Sequence, residues 1–192
     1  SSDLYQSLTE GRYLDGEAEF QAAAARALAL FDVKGGESLS KVRSEMGDSM
    51  EEGVGIYREQ EGMQKTIDKL AELKKRYVNI PLTDRGRIFN TEWMNLIELG
   101  YTLDVAECMV YSAINRKESR GSHQRLDGPN EAYRQRDDEH FLKHSLAIFN
   151  KEKNAPDISL SDVKITTFKP AKRVYGAEAD AAEAARKAKE AK

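Results

Sequence analysis

The chain has 192 residues, room for one domain with extensions, and 33% of them are charged, with 30 Lys and Arg against 33 Asp and Glu. A net charge of -3 leaves no electrostatic footprint for nucleic acid or an anionic membrane surface, and no run approaches the roughly 18 apolar residues of a membrane-spanning helix. The single cysteine, Cys108, excludes an internal disulfide and is compatible with a reducing compartment.

Ser1 to Gln6 is polar and lacks the basic start and apolar stretch of a secretory signal. The absence of an initial Met fits an excised fragment. Residues 1–16 lack periodicity and read as a lead-in segment. From Glu17, the residues Phe20, Ala24, Ala27, Leu28 and Phe31 recur three and four apart, which predicts a helix that Gly35-Gly36 stops. Ser38 or Ser40 can cap a second helix, with Leu39, Val42, Met46, Ser49 and Met50 as its stripe and Gly53 and Gly55 at its end. A third starts near Gln60 and buries Met63, Ile67, Leu70, Leu73 and Tyr77. Its outer face is expected to pair Lys65 with Asp68 and Lys69 with Glu72, and Pro81 ends it.

The fourth helix is the longest. Asn90 or Thr91 caps it, and the pattern runs from Trp93 to about Lys117. Leu96, Ile97, Gly100, Leu103, Ala106, Val110, Ala113 and Ile114 form one stripe. Leu99, Val105, Cys108 and Met109 widen it, which predicts burial on more than one side. Gly100 inside a helix costs about 1 kcal/mol relative to Ala, which a close helix–helix approach would offset. Residues 121–138 are polar and contain Gly128-Pro129, a loop signature. Ser145–Phe149 is read as a helix or a strand, and Val163–Phe168 alternates as a strand. Two strands do not stand alone and must lie on the bundle or on another domain. The Ala/Lys/Glu tail from Ala177 has no apolar stripe and is expected to be solvated and mobile. The fold expected is mainly α: a three- to four-helix bundle over 17–120, an irregular segment with minor β over 121–176, and the tail at 177–192.

The chemistry-bearing residues are few. Gly53-Val-Gly55 lacks the spacing and the strand–turn–helix setting of a dinucleotide loop and is read as a helix break. His140 and His144, four apart, would share a helix face near Asp137, but Phe141 stands where a zinc-protease pattern needs Glu. Cys108 is read as a small buried hydrophobe. Arg116, Arg120, Arg125, Arg134 and Arg136 could hold a carboxylate substrate through their forked donors. Interleaved acids (Glu118, Asp127, Glu131, Asp137, Asp138, Glu139) favour a salt-bridged or interface surface instead.

Several stretches carry a family resemblance. Phe89-Asn-Thr91, Glu98-Leu-Gly100, Leu103-Asp-Val-Ala-Glu107 and Arg116-Lys-Glu-Ser-Arg-Gly121 with His123 resemble the C-terminal helical domain of the succinate dehydrogenase/fumarate reductase flavoprotein family. Met50-Glu-Glu-Gly53, Gly55-Ile-Tyr-Arg58, Arg136-Asp-Asp138 and Leu142-Lys-His144 agree. Met63 to Leu73, Asp162 to Thr167 and Pro170 to Gly176 point to the enterobacterial fumarate reductase type. Ser122, where the family usually has Ala, and a longer stretch at Gly128–Gln135 depart from the pattern.

The resemblance implies a subunit that binds FAD covalently and reduces fumarate to succinate. It also implies an iron–sulfur subunit, membrane anchor subunits, and a place at the cytoplasmic face of the inner membrane. In that family the flavin fold and the substrate His and Arg residues precede this region. No catalytic, cofactor-binding or metal residue is therefore assigned here, and the isolated chain is expected to be inactive. Glu118, Arg120, His123, Arg125, Arg136 and Asp137 are expected to form a polar seam against the flavin domain, with Arg120 acting across it so that its loss spares the isolated chain. Two alternatives stand beside this: a stand-alone helical module docking a partner on residues 116–138, and a succinate dehydrogenase flavoprotein.

Overall fold

A computed structural model describes residues 16–167 together with 170, 171, 176 and 181. Among the described residues the protein is mainly α with two small ladders. Helix α1 (Glu17–Ala29) runs into a short 3-10 turn, Leu30–Asp32. It is followed by α2 (Leu39–Val54), β1 (Tyr57–Arg58), α3 (Gln60–Tyr77) and α4 (Thr91–Asn115). Then come β2 (Gln124–Arg125), a second 3-10 segment (Pro129–Arg134), the single turn α5 (Asp138–Phe141), β3 (Lys143–Asn150) and β4 (Ala155–Asp162).

Helices α2, α3 and α4 pack on one another around one core. Val42, Met63, Leu70, Leu73, Leu96, Leu99, Leu103 and Val110 lie at its centre. The capping chemistry follows the sequence. Ser38 Oγ accepts from Lys41 N at 3.4 Å, and Asn90 Oδ1 accepts from Trp93 N at 2.8 Å, each satisfying a first-turn donor that the helix leaves unpaired.

Two glycines allow close approach. A Cβ on Gly53 of α2 would meet Thr66 Oγ1 and lie 2.7 Å from the carbonyl oxygen of Gly62 on α3. On Gly100 it would lie 2.7 Å from the Tyr77 hydroxyl, the helix–helix contact that the sequence called for. The Tyr77 ring can swing aside, but the Gly62 backbone cannot. Gly53→Ala is therefore expected to cost about 1–3 kcal/mol through forced separation of α2 and α3. Chemical denaturation tests this; an unchanged midpoint would contradict so close a crossing.

Several expectations need correction. In α1 none of the residues is buried, and Phe20 and Leu28 are exposed, so the helix lies outside the three-helix core. It is held by Phe31, which packs tilted against Trp93 at 5.4 Å, and by the Trp93 indole donating to Ala27 O at 2.8 Å. On α3, Lys69 pairs with Glu72 as expected, but Lys65 pairs with Glu61 and Asp68 accepts from Gln64. Helix α4 ends at Asn115, and Val105 and Met109 are exposed. The 78–90 connection, read as a mere stop, contributes Ile80 and Leu82 to the core.

The 145–149 ambiguity resolves as strand. β3 and β4 form an antiparallel hairpin in which His144 faces Ser161 and Phe149 faces Pro156. The hairpin lies on α4, which supplies the support that two strands need. The strand expected at 163–168 is displaced: β4 ends at Asp162, residues 163–167 are irregular, and Phe168 lies outside the described residues. The tail expectation falls almost wholly outside them too.

Candidate functional site

At the C-terminus of α4 the backbone turns extended at Arg116. Its guanidinium joins the bundle to α5 and the hairpin. Nη1 donates to Glu118 Oε1 at 2.5 Å and to Phe141 O at 2.8 Å. Nη2 donates to Lys143 O at 2.8 Å and to Ser145 Oγ at 3.1 Å. Arg116 thus anchors the start of the hairpin.

Glu118 is the hub. Its side chain is 0% exposed. Besides Arg116, it accepts from Arg120 Nε at 2.9 Å, Arg120 Nη2 at 3.0 Å and the Asp137 backbone N–H at 2.8 Å. Arg120 also donates to Asp138 Oδ1 at 2.7 Å, and Arg136 grips the same carboxylate with two bonds of 2.7 Å. The Arg136 bonds, then Arg120, hold the Asp138 carboxyl down at about 2. Asp137 caps α5, accepting from His140 N at 3.0 Å, with His140 Nδ1 2.8 Å from its other oxygen.

A second cluster abuts the first. The two-residue parallel ladder sets Tyr57 against Gln124 and Arg58 against Arg125. Arg125 is 1% exposed. It chelates Asp127 with bonds of 2.7 and 2.8 Å, donates to Ile114 O and Arg116 O at 3.2 Å, and lies 5.1 Å over the Tyr133 ring. Two of its targets are carbonyls at the end of α4, which the helix leaves without partners.

His123 sits between the clusters. Its Nε2 faces the Arg116 carbonyl at 3.0 Å, so Nε2 carries the hydrogen. Nδ1, 2.8 Å from Arg58 Nη1, must then accept. This fixes a neutral imidazole. Burial pushes its pKa below the ordinary 6.5, and the charges of Arg58, Arg125 and Arg116 push the same way, against the bond to the Arg116 carbonyl. Because the folded pKa is lower than the unfolded one, the unfolded chain binds the extra proton. Stability is fully present above the unfolded value and is lost as pH falls below about 6.5 towards the folded pKa. Urea denaturation is expected to show a loss between pH 7 and 5 that His123→Gln removes; an identical slope in the variant would contradict the assignment.

The structure thus brings Glu118, Arg120, Arg136 and the Asp137 backbone into one network, with His123 and Arg125 in the adjoining one. Arg120 is bound to the buried Glu118 within this chain, so its loss is expected to cost the isolated chain as well. Sequence reasoning missed Arg58 and Asp127 as members; the signal was there in Gly55-Ile-Tyr-Arg58 and in an acid two residues after Arg125. The Gly128–Gln135 stretch forms a kinked 3-10 segment, with Asn130 and Glu131 at φ of 50° and 61°. It places Tyr133 over Arg125 and lets Ser119 Oγ donate to Tyr133 O at 2.8 Å.

Other candidates change as well. His140 lies in the one-turn α5, which ends at Phe141, while His144 lies in β3, so they share no helix face. Among the described residues no group of three His, Cys, Asp or Glu is placed to hold a metal. Gly53-Val-Gly55 stands at the C-terminus of α2, where carbonyls rather than N–H groups are unpaired, so it does not fit a flavin pyrophosphate. Cys108 is half-buried rather than in the core, and burial, followed by Glu107, pushes its thiol pKa up. It lines a groove of about 480 Å³ with Val54, Arg58, Val105 and Met109, to which Arg116 and His123 also contribute.

The class that this architecture defines is a helical domain with a hairpin docked on its central helix by a buried ion network. The chain belongs to the fumarate reductase flavoprotein C-terminal family, whose profile matches residues 43–175. It is 57% identical over 87% of its length to the fumarate reductase flavoprotein subunit of a Serratia strain, covering 27% of that protein. A solved chain of E. coli quinol fumarate reductase superposes with a TM-score of 0.77 at 51% identity, over 89% of this chain and 29% of that one. The succinate dehydrogenase flavoprotein subunit of Coxiella burnetii is more distant, at 36% over 57% of the chain and 18% of that protein. The chain spans under a third of the length of these relatives.

Proposed function

We propose that this chain serves as the C-terminal domain of a subunit that reduces fumarate to succinate with covalently bound FAD in anaerobic respiration. Electrons would arrive from a quinol through an iron–sulfur subunit, with membrane anchor subunits holding the assembly at the cytoplasmic face of the inner membrane. Among the described residues no helix is long and apolar enough to cross a membrane, which is compatible with anchoring by other subunits. The observation that carries the reading is the 57% identity to a fumarate reductase flavoprotein subunit, maintained over 87% of the chain. The lower figure for the succinate dehydrogenase relative favours fumarate reduction over succinate oxidation.

The chain's own part is positional. Reducing fumarate needs a hydride donor, an acid for the second carbon and cations for two carboxylates. The flavin supplies the hydride when bound. The arginines of 116–138 could serve only the third need, and they are committed to Glu118, Asp127, Asp138 and backbone carbonyls. The network is better suited to fixing a surface against the flavin domain. Glu118, His123 and Arg125 form its buried base, and Arg120, Arg136 and Asp137 its partly open rim.

The test is flavin retention in the full-length subunit. Arg136→Ala, which spares the buried Glu118 contacts, is expected to lower covalent flavin content or stability. Flavin content and melting midpoint both at wild-type values would remove Arg136 from the seam.

A further inference from the structure

We infer that the outer face of α4, along Tyr101, Val105 and Met109, is the surface on which the flavin-binding part of the longer subunit sits; this rests on the function proposed above and specifies the docking face. Helix α4 holds only four charged residues in 25, Glu92, Glu98, Asp104 and Glu107. A helix so apolar around its circumference belongs in a protein interior. Here α2 and α3 cover one side and the hairpin leans on another. Tyr101, Val105 and Met109 recur four apart on one line and remain 67%, 58% and 51% exposed. An uncovered line of large side chains marks an interaction surface.

The groove of about 480 Å³ beside Val105 and Met109 gives this face relief. Its lining is aliphatic at Val54 and Ala113 and polar at Arg58, Arg116 and His123. Arg58 donates through Nε to Gly55 O at 2.7 Å and through Nη1 to His123 at 2.8 Å. Its Nη2 has no partner among the described residues. The complementary surface is therefore apolar, with an oxygen acceptor facing Arg58. Arg116 and His123 line the groove and also belong to the ion networks, so the groove abuts the buried base of the polar seam.

The occupant follows from chain length. Identity to the Serratia relative covers 87% of this chain but 27% of that protein, so most of the relative's polypeptide lies outside the matched region. A tethered neighbour competes for an apolar face at far higher effective concentration than a second copy or a separate subunit.

The test uses the full-length subunit in its assembled complex. A photo-cross-linking phenylalanine analogue is placed at Val105, at Met109, or at the exposed Lys65 as control. Cross-links from 105 and 109, but not 65, to peptides of the same polypeptide outside the 192 residues are expected. Cross-links to a second copy, to the iron–sulfur subunit, or to nothing would overturn the inference. Hydroxyl-radical oxidation of the unmodified complex gives an independent measure: Met109 is expected to be protected, and free oxidation would overturn the proposal. Covalent flavin fluorescence is read on the same sample. Its absence would count against the proposed function, while the cross-links would still report what covers α4.

Discussion

Glu118→Ala is expected to lower the unfolding free energy by about 3–5 kcal/mol, the cost of breaking a buried ion pair by removing one partner. The carboxylate is 0% exposed and accepts four hydrogen bonds from three sources: Arg116, Arg120 and the Asp137 backbone. Its loss strands two guanidinium groups whose remaining acceptors are mostly carbonyls and Asp138. It also frees the Asp137 N–H, which the loop cannot turn to solvent without losing the α5 cap. Glu118→Gln keeps the shape and one good acceptor and should recover part of the loss. Urea denaturation of both variants measures this; a change below about 1 kcal/mol in Glu118→Ala would show that the network does not hold the hairpin to the bundle.

Leu103→Ala should cost about 2–5 kcal/mol, the range for a large core truncation. Leu103 is almost fully buried at the centre of α4, on the face shared with α2 and α3. The same core takes Val42 from α2 and Leu70 from α3, residues fixed on separate packed helices, so little collapse into the cavity is available. A melting midpoint unchanged in Leu103→Ala would mean that α4 is not the central element.

The helices were legible because their spacing and caps agree. Val42, Met46, Met63, Leu70, Leu73, Leu96, Leu103 and Val110 recur at helical intervals, and Ser38 and Asn90 stand where caps are needed. The errors have physical sources. In α1 the stripe was real, but among the described residues the three-helix core closes without it and leaves Phe20 and Leu28 exposed. Val163–Phe168 has strand chemistry, yet the hairpin register set by His144 opposite Ser161 ends the ladder at Asp162. His140 and His144 have helical spacing, but the chain leaves the helix at Leu142.

The candidate site was legible in kind but not in membership. Alternating charge over 116–138 pointed to a salt-bridged surface, and the structure spends those cations on nearby carboxylates. It could not show that Glu118 is buried, because its partners include the Asp137 backbone 19 residues on, nor that Arg125 is, because Arg125 lies in the parallel pairing of residues 57–58 with 124–125, a contact more than 60 positions apart along the chain. The same contact delivers Arg58 to His123 and fixes its tautomer.

The most direct measurement of the central claim is oxidation of reduced viologen by fumarate, run with the full-length flavinylated subunit and with the 192-residue chain alone. Turnover is expected in the first and none in the second, because on the proposed function the flavin that gives the hydride and the acid that protonates the second carbon belong to the rest of the subunit. Fumarate-dependent turnover by the 192-residue chain, or none by the flavinylated full-length subunit, would contradict it.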